Sequence, residues 1–239
     1  MENTVSLATA RDRGREIAKS SGCDAEDAVC LRAIPVDTIL AAQARPSTVP
    51  IAGGEDLPEA PGVAIAAGRF HRVPIIFGWN RDETTWQTAL TEIRRGTPID
   101  EKDYREAIEA FGRRDPTHSA SVIAEIAAAY PLLSAPAVGS VVSRIRTDAA
   151  FICPTLRMLR DLSRYVPAYG YKFAEPDVPM YNPPVSFPYG IAHTSELQFL
   201  FPGFHGASGT VWSLSALNNG SRDGCRNSGL ISRRKAGRA

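Results

Sequence analysis

VPIIFGWNRDE, at residues 73–83, is the stretch on which the fold prediction depends. Its first five residues form an apolar run closed by Gly78, which is typical of a buried interior strand of a parallel sheet. In open α/β sheets, chemistry gathers just beyond the carboxyl ends of the strands. Asp82 and Glu83, which follow the run, are therefore candidates for a catalytic carboxylate. The alternative interpretation is that they only begin a helix, because Asp and Glu are favoured in a first helical turn.

A second stretch, GIAHTSELQFLF at residues 190–201, places His193 directly after a loop of small residues and before an apolar, helix-like segment. A histidine in this setting has a structural interpretation as well as a catalytic one. Glu196 follows three residues later and so lies on the same face of a helix. That offset also suits a metal site, but no further ligands with site-like spacing accompany the two residues. We therefore expect no metal here.

The two stretches together resemble the carboxylesterase type B family, the α/β-hydrolases that include cholinesterases and para-nitrobenzyl esterases. Three more segments resemble parts of this family and occur in the family's order. They are a short loop from Cys23 to the CLR sequence at residues 30–32, the helix near the gorge at residues 147–154, and the Y-x-Y-x-F strand at residues 169–173. The resemblance covers about residues 10–204 and implies an α/β fold. The chain would be the C-terminal part of an α/β-hydrolase, mostly helical with a few parallel central-sheet strands.

The resemblance also implies roles for three of these residues. Ester hydrolysis by a triad needs a nucleophile, a histidine that takes and returns its proton, and an acid that holds the histidine. Glu83 matches the family's orienting acid and His193 its general base. Glu196 matches a family glutamate that supports the catalytic residues through hydrogen bonds and does not react with the substrate itself. The family's chemistry implies no cofactor.

The nucleophile of such a triad is missing from the sequence. α/β-hydrolases carry the serine on a G-x-S-x-G elbow upstream of the acid and the histidine. No G-x-S-x-G occurs in the chain. The nearest match, GASGT at residues 206–210, lacks the last glycine and lies after His193. We expect a chain of carboxylesterase lineage that lacks the nucleophile elbow and is inactive on its own. The complete protein would act on a small-molecule carboxylic ester. The expected partner is a complementary N-terminal hydrolase portion.

Two other functions are compatible with parts of the pattern. The first is a non-catalytic α/β-hydrolase-like binding module, against which the retention of Glu83 and His193 argues. The second is a helical domain without any site, against which the ordered series of motifs argues. The sequence does not identify the ester.

Composition sets further limits on function. The chain of 239 residues is 44% hydrophobic, which is enough for a substantial core. Its net charge of +1 gives no electrostatic case for nucleic acid or an anionic membrane as partner. No apolar run approaches the ~18 residues of a transmembrane helix. The first residues do not resemble a signal peptide, although any signal of a longer protein would lie upstream.

The four cysteines, Cys23, Cys30, Cys153 and Cys225, lack the paired spacing of a zinc site. The family resemblance favours a disulfide between Cys23 and Cys30. That disulfide would imply an oxidising compartment, either secreted or periplasmic. The alternative is two reduced thiols in a cytoplasmic protein.

Periodicity and capping residues predict the secondary structure. Helices are expected over residues 4–20, 36–44, 84–93, 100–112, 118–129, 135–145 and 155–165. Asp24 is expected to cap a further short helix, and Asp100 the helix over 100–112. Residues 166–173 are expected to form a strand, and residues 45–68 and 175–189 loops.

The composition changes near the end of the hydrolase-like part. Residues 1–204 are expected to form the C-terminal portion of a carboxylesterase type B domain. Residues 205–239 are rich in Gly, Ser, Asn and Arg and are expected to be a disordered or aberrant tail. Its basic end has nucleic-acid contact as an alternative interpretation.

Overall fold

The computed structural model describes residues 4–42, 49–113, 119–132, 137–175, 178–180 and 182–201, and the backbone of Arg234–Lys235. The chain divides into two compact units, Met1–His71 and Arg72–Ala239. Apart from the short strand Arg234–Lys235, the tail predicted over residues 205–239 lies outside the described residues.

The first unit consists of short helices and one pair of very short parallel strands. Its elements are β1 (Val5–Ser6), α1 (Leu7–Ser20), α2 (Ala28–Ala33), α3 (Val36–Ala42), β2 (Ile51–Ala52) and α4 (Pro61–Ala66). Helix α1 begins later than predicted, because Ser6 caps it by accepting a hydrogen bond from the N–H of Thr9 at 3.1 Å. The residues before it pair with β2 instead.

Two local predictions for this unit are wrong. Asp27, not Asp24, caps α2, and its carboxylate accepts hydrogen bonds from the N–H groups of Val29 and Cys30 at 3.0 Å. Residues 45–68, predicted as loop, include β2 and α4. Pro61 stands at the start of α4, where its fixed φ is compatible with a helix and its missing N–H costs nothing.

The predicted disulfide is present. Cys23 and Cys30 are joined with a Cα–Cα distance of 5.8 Å, which links the turn after α1 to α2. Of the other cysteines, Cys153 is a free thiol at the surface, and Cys225 lies outside the described residues.

The second unit is mostly helical around a small sheet, as predicted. Its elements are β3 (Ile75–Asn80), α5 (Thr85–Arg95), α6 (Glu101–Gly112), α7 (Ser119–Ala129), α8 (Val138–Thr147), α9 (Cys153–Ser163), β4 (Ala168–Phe173), α10 (Leu197–Leu200) and β5 (Arg234–Lys235). A π-helical turn, Asp148–Ile152, connects α8 to α9. The start of α6 is as predicted, since Asp100 accepts from the N–H groups of Lys102 and Asp103 in a capping box.

Strands β3 and β4 are parallel, and β5 pairs antiparallel with the other edge of β4. Strand β3 extends beyond the predicted apolar run. It continues through Gly78 because a glycine there lets β3 and β4 approach each other closely. A Cβ at Gly78 would lie 2.4 Å from the backbone oxygen of Tyr171. The prediction that β3 is buried is wrong, since Ile76 is 63% and Phe77 38% exposed. Within the described part of the chain, β3 has a strand neighbour on one side only.

The loop before His193 contributes to the hydrophobic core. Phe187 and Tyr189 are buried in a cluster with residues of α5, α6 and α8. Phe187 occupies the space where a Cβ of Gly139 would lie, with its Cδ1 only 2.1 Å from that position. The predicted loop over residues 175–189 is thus irregular where described but firmly packed.

Candidate acid–base site

Glu83 lies in the turn between β3 and α5, just beyond the carboxyl end of the strand. Its side chain is 6% exposed. The backbone N–H of Asn80 donates to Oε1 of Glu83 at 2.7 Å, so the carboxylate is turned back toward the strand end. The buried side chain therefore does more than begin a helix.

The residue after Glu83 anchors this turn to α8. The hydroxyl of buried Thr84 donates to the carbonyl of Ser143 at 2.7 Å, and its N–H donates to the hydroxyl of Thr147 at 3.1 Å. Since α8 also packs against α5, the turn that carries the carboxylate is held to α8 by packing and by hydrogen bonds.

His193 reaches Glu83 through both its side chain and its backbone. Its Nδ1 lies 2.7 Å from Oε2 of Glu83. Its backbone N–H donates to the carbonyl oxygen of Glu83 at 3.1 Å. The structure thus brings together the two residues that the sequence predicted as acid and base, 110 positions apart.

The electrostatics of the pair favour a protonated imidazole. The hydrogen bond that the imidazole donates to Glu83 raises the pKa of His193 above its ordinary value, burial acts in the opposite direction, and the charges of Glu83 and Glu196 add to the increase. An acid that stabilises the imidazolium is what a histidine needs when it accepts a proton during a reaction.

Aromatic side chains flank the imidazole. The ring of Trp86 stacks on His193 with centroids 6.0 Å apart and planes at 21°. The ring of Phe151 lies 5.6 Å away and is tilted by 53°. Neither residue is among those that the sequence predicts for the site. Trp86 stands one helical turn after Glu83, a spacing that could have indicated it, whereas no sequence signal indicates Phe151.

The π-helical turn that carries Phe151 is held at its first residue. The hydroxyl of Tyr130 donates to Oδ2 of Asp148 at 2.6 Å. Burial, and then the hydrogen bond to Asp148, raises the pKa of Tyr130 to about 12. The phenol is therefore a permanent donor at neutral pH. π-helical turns are often found at functional sites, and this one presents an aromatic ring to the candidate base.

Glu196 lies close enough to the pair for its charge to act on His193. Its carboxylate accepts a hydrogen bond from the side-chain amide of Asn80. Asn80 is 2% exposed and also donates its backbone N–H to Glu83. Asn80, which the sequence analysis did not single out, therefore connects the two glutamates.

Asp82 and Thr85 join the turn that holds Glu83 to the loop that holds His193. The N–H of Asp82 donates to the carbonyl of Ile191 at 2.9 Å, and Oδ2 of Asp82 accepts from the N–H of Ile191 at 2.8 Å. The hydroxyl of Thr85 donates to the carbonyl of Tyr189 at 2.7 Å. The candidate acid and base therefore lie on two segments that are bound directly to each other.

The described residues show neither a metal cluster nor a membrane-spanning helix. They contain no group of three or more His, Cys, Asp or Glu side chains arranged to hold a metal ion. None of their helices has both the length and the apolar character needed to cross a bilayer.

Comparison with known proteins supports the fold. A sequence model of the carboxylesterase family matches residues 1–213. A mouse acylcarnitine hydrolase is 28% identical over 203 residues, which cover 79% of this chain and 35% of that protein. A solved PNB esterase has a TM-score of 0.62 at 18% identity, over 93% of this chain and 44% of its own. A Geobacillus stearothermophilus carboxylesterase has a TM-score of 0.55 at 21% identity, over 92% and 44%. The α/β-hydrolase fold is thereby confirmed, and the chain spans less than half the length of these relatives.

Proposed function

Since this chain belongs to the carboxylesterase family, we propose that it supplies the acid and the base of a carboxylic ester hydrolase. The observation that carries the proposal is the hydrogen bond of 2.7 Å between Nδ1 of His193 and Oε2 of Glu83. The burial of Glu83 and the raised pKa of His193 support the same roles. The similar proteins are named as an acylcarnitine hydrolase and a PNB esterase, and these names support an ester as the class of substrate.

In this proposal, Nε2 of His193 takes the proton from a serine hydroxyl as the serine oxygen attacks the ester carbonyl. Glu83 fixes the imidazole by its contact with Nδ1 and stabilises the imidazolium. The imidazolium then gives its proton to the leaving alcohol. Water, activated by the same imidazole, hydrolyses the acyl-enzyme in a second round of the same steps.

The serine is proposed to come from outside these 239 residues, because the sequence contains no G-x-S-x-G elbow. A chain without a nucleophile has no acyl acceptor, so we propose that it is inactive alone. Among the described residues, one edge of β3 has no strand neighbour, and the side chains of Ile76 and Phe77 are exposed; both observations support a complementary hydrolase portion that adds a strand there. A strand parallel to β3 would end at the rim that carries Glu83, where an elbow would reach His193.

The alternative is a binding module that uses the fold without catalysis. The missing elbow favours it. The contacts that hold Glu83 to His193 argue against it, because a buried carboxylate paired with an imidazole is costly to maintain without a use.

The first experiment tests the chain by itself with p-nitrophenyl butyrate. We expect no turnover above the rate in buffer. Turnover that survives Ser208→Ala and disappears in His193→Ala would show that the chain holds its own nucleophile. The proposal that the chain is inactive by itself would then be wrong.

The second experiment tests the roles of the pair in an assembled enzyme. We expect the DNA flanking the coding region to encode a G-x-S-x-G segment, and coexpression of that product to give hydrolysis of p-nitrophenyl butyrate. His193→Ala should then lower kcat by about 10⁴-fold or more. Glu101→Gln, at an exposed carboxylate of α6, is the control and should leave kcat unchanged. Full activity of the His193→Ala complex would refute the proposal.

A further inference from the structure

The loop that precedes His193 is bound along one side by the segment that follows β3. Asp82 is hydrogen-bonded to Ile191, Thr85 to Tyr189, and Glu92 to Ser186. Residue numbers thus increase along the first segment while those of the partners decrease. These hydrogen bonds form an antiparallel series between two segments that lie about a hundred positions apart. Glu92 and Ser186 are its end farthest from the imidazole.

Glu92 is the charged member of this series that lies on α5. It is only 9% exposed. Its Oε1 accepts the backbone N–H of Ser186 at 2.6 Å, and its Oε2 accepts the Ser186 hydroxyl at 2.7 Å and the N–H of Ile99 at 3.2 Å. Burial would raise the pKa of Glu92, but these hydrogen bonds and the charge of Arg95 outweigh it, and the pKa lies below its ordinary value. The carboxylate is therefore ionised and satisfied at neutral pH.

We propose that Glu92 is a positioning residue for His193, which it serves by fixing Ser186 and thereby the loop that carries the imidazole to Glu83. This inference rests on the proposed function, since positioning matters only if the Glu83–His193 pair works as acid and base. An ionised carboxylate that binds both the N–H and the hydroxyl of one residue holds that residue more firmly than a neutral partner would.

The effect of Glu92 on the imidazole is indirect. The charges that raise the pKa of His193 are those of Glu83 and Glu196. Removing the charge of Glu92 should therefore alter His193 only by letting the loop move. The pKa of His193 then reports how the imidazole is placed relative to Glu83. A measurement of the protein's stability does not give this information.

The experiment is an NMR titration of the His193 imidazole in the full, 15N-labelled chain, with its signal identified by its loss in His193→Gln. We expect the pKa of His193 to fall in Glu83→Gln, and to fall by a smaller amount in Glu92→Gln and in Ser186→Ala. Ser186→Thr keeps both donors at an exposed position and should keep the wild-type value. Glu101→Gln removes an exposed charge elsewhere and should also keep it. Circular dichroism checks that each variant is folded.

An unchanged His193 pKa in folded Glu92→Gln and Ser186→Ala would overturn the proposal, and so would an equal fall in Glu101→Gln. If Glu92→Gln does not fold, the comparison of Ser186→Ala with Ser186→Thr decides. The titration needs no turnover, so a failed activity assay does not affect it. A His193 pKa that does not respond to Glu83→Gln would instead refute the acid–base pair itself, and with it the role of Glu92.

Discussion

Gly190 and Asp82 lie so close together that no side chain fits at the glycine. A Cβ at Gly190 would be 2.1 Å from Oδ2 of Asp82. The same oxygen accepts the N–H of Ile191 at 2.8 Å, so it cannot move aside without losing that bond. Gly190 also has a φ of +58°, in the left-handed region. Steric contact and backbone conformation both require glycine at this position, three residues before His193.

Gly190→Ala should therefore destabilise the protein and loosen the histidine loop. The left-handed conformation alone costs an alanine about 1 kcal/mol, and displacement of Asp82 adds a similar amount. We expect a loss of roughly 2 kcal/mol in the free energy of unfolding, measured by urea denaturation.

Gly96→Ala is the matched control for this substitution. Gly96 has a φ of +71° at the end of α5, but a Cβ there would meet no atom within 4 Å. It should show the backbone cost without the steric one. Equal losses of unfolding free energy in the two variants would mean that the steric contact with Asp82 adds nothing to the destabilisation.

Glu83→Gln should destabilise the protein in a pH-dependent way. The folded-state pKa of His193 is raised, so the stability gained from its pairing is fully present below the unfolded-state pKa of about 6.5. That contribution is lost as pH rises through the folded-state pKa. We expect the loss in the free energy of unfolding, measured by urea denaturation, to be larger at about pH 5.5 than at about pH 9. The variant also weakens the bond from the Asn80 N–H at both pH values, so only the difference reports on His193. A loss independent of pH would contradict the pairing.

Gly139→Ala should destabilise the core although it replaces a helical glycine. In an open helix such a change is stabilising by roughly 0.5–1 kcal/mol. Here the new Cβ would lie 2.1 Å from Cδ1 of buried Phe187, and overpacking of this kind costs about 1–3 kcal/mol. Gly14→Ala in α1, where a Cβ meets nothing within 4 Å, is the control and should stabilise the protein. Urea denaturation of both variants should give opposite signs, and two changes of the same sign would count against the packing argument.

Loss of the Cys23–Cys30 disulfide should lower the stability of the first unit. The cysteines are seven positions apart, and the chain-entropy model gives roughly 2–3 kcal/mol for a loop of this size. We expect the double substitution Cys23→Ser/Cys30→Ser to lower the Tm of residues 1–71, measured by calorimetry. Cys153→Ser, at an exposed free thiol, is the control and should leave this transition in place. An unchanged Tm in the double variant would show that the bond contributes no stability.

The sequence could predict Glu83 and His193 as candidates because each stands beside a strong local signal. Glu83 follows an apolar run that ends at Gly78, and His193 follows a loop of small residues. The start of α6 was predictable for the same reason, since Asp100 and Asp103 form a capping box within four residues. Family order then joined the two distant stretches into one site.

The remaining features depend on contacts that no local pattern encodes. Glu92 and Ser186 are 94 positions apart, and Ser186 lies in a proline-rich loop without periodicity. The exposure of Ile76 depends on whether β3 has a second neighbour, which its own sequence does not specify. Phe151 comes to His193 through a π-helical turn, and the sequence around it reads as an ordinary helix.

The antiparallel hydrogen bonds from Asp82 and Thr85 to the histidine loop have a consequence for protein engineering. A designer who transplants Glu83 and His193 into a new scaffold as two isolated side chains would lose the supports that align them. Residues 75–95 and 182–193 should instead be grafted as one cassette, because the alignment of the imidazole belongs to the paired segments and not to either residue.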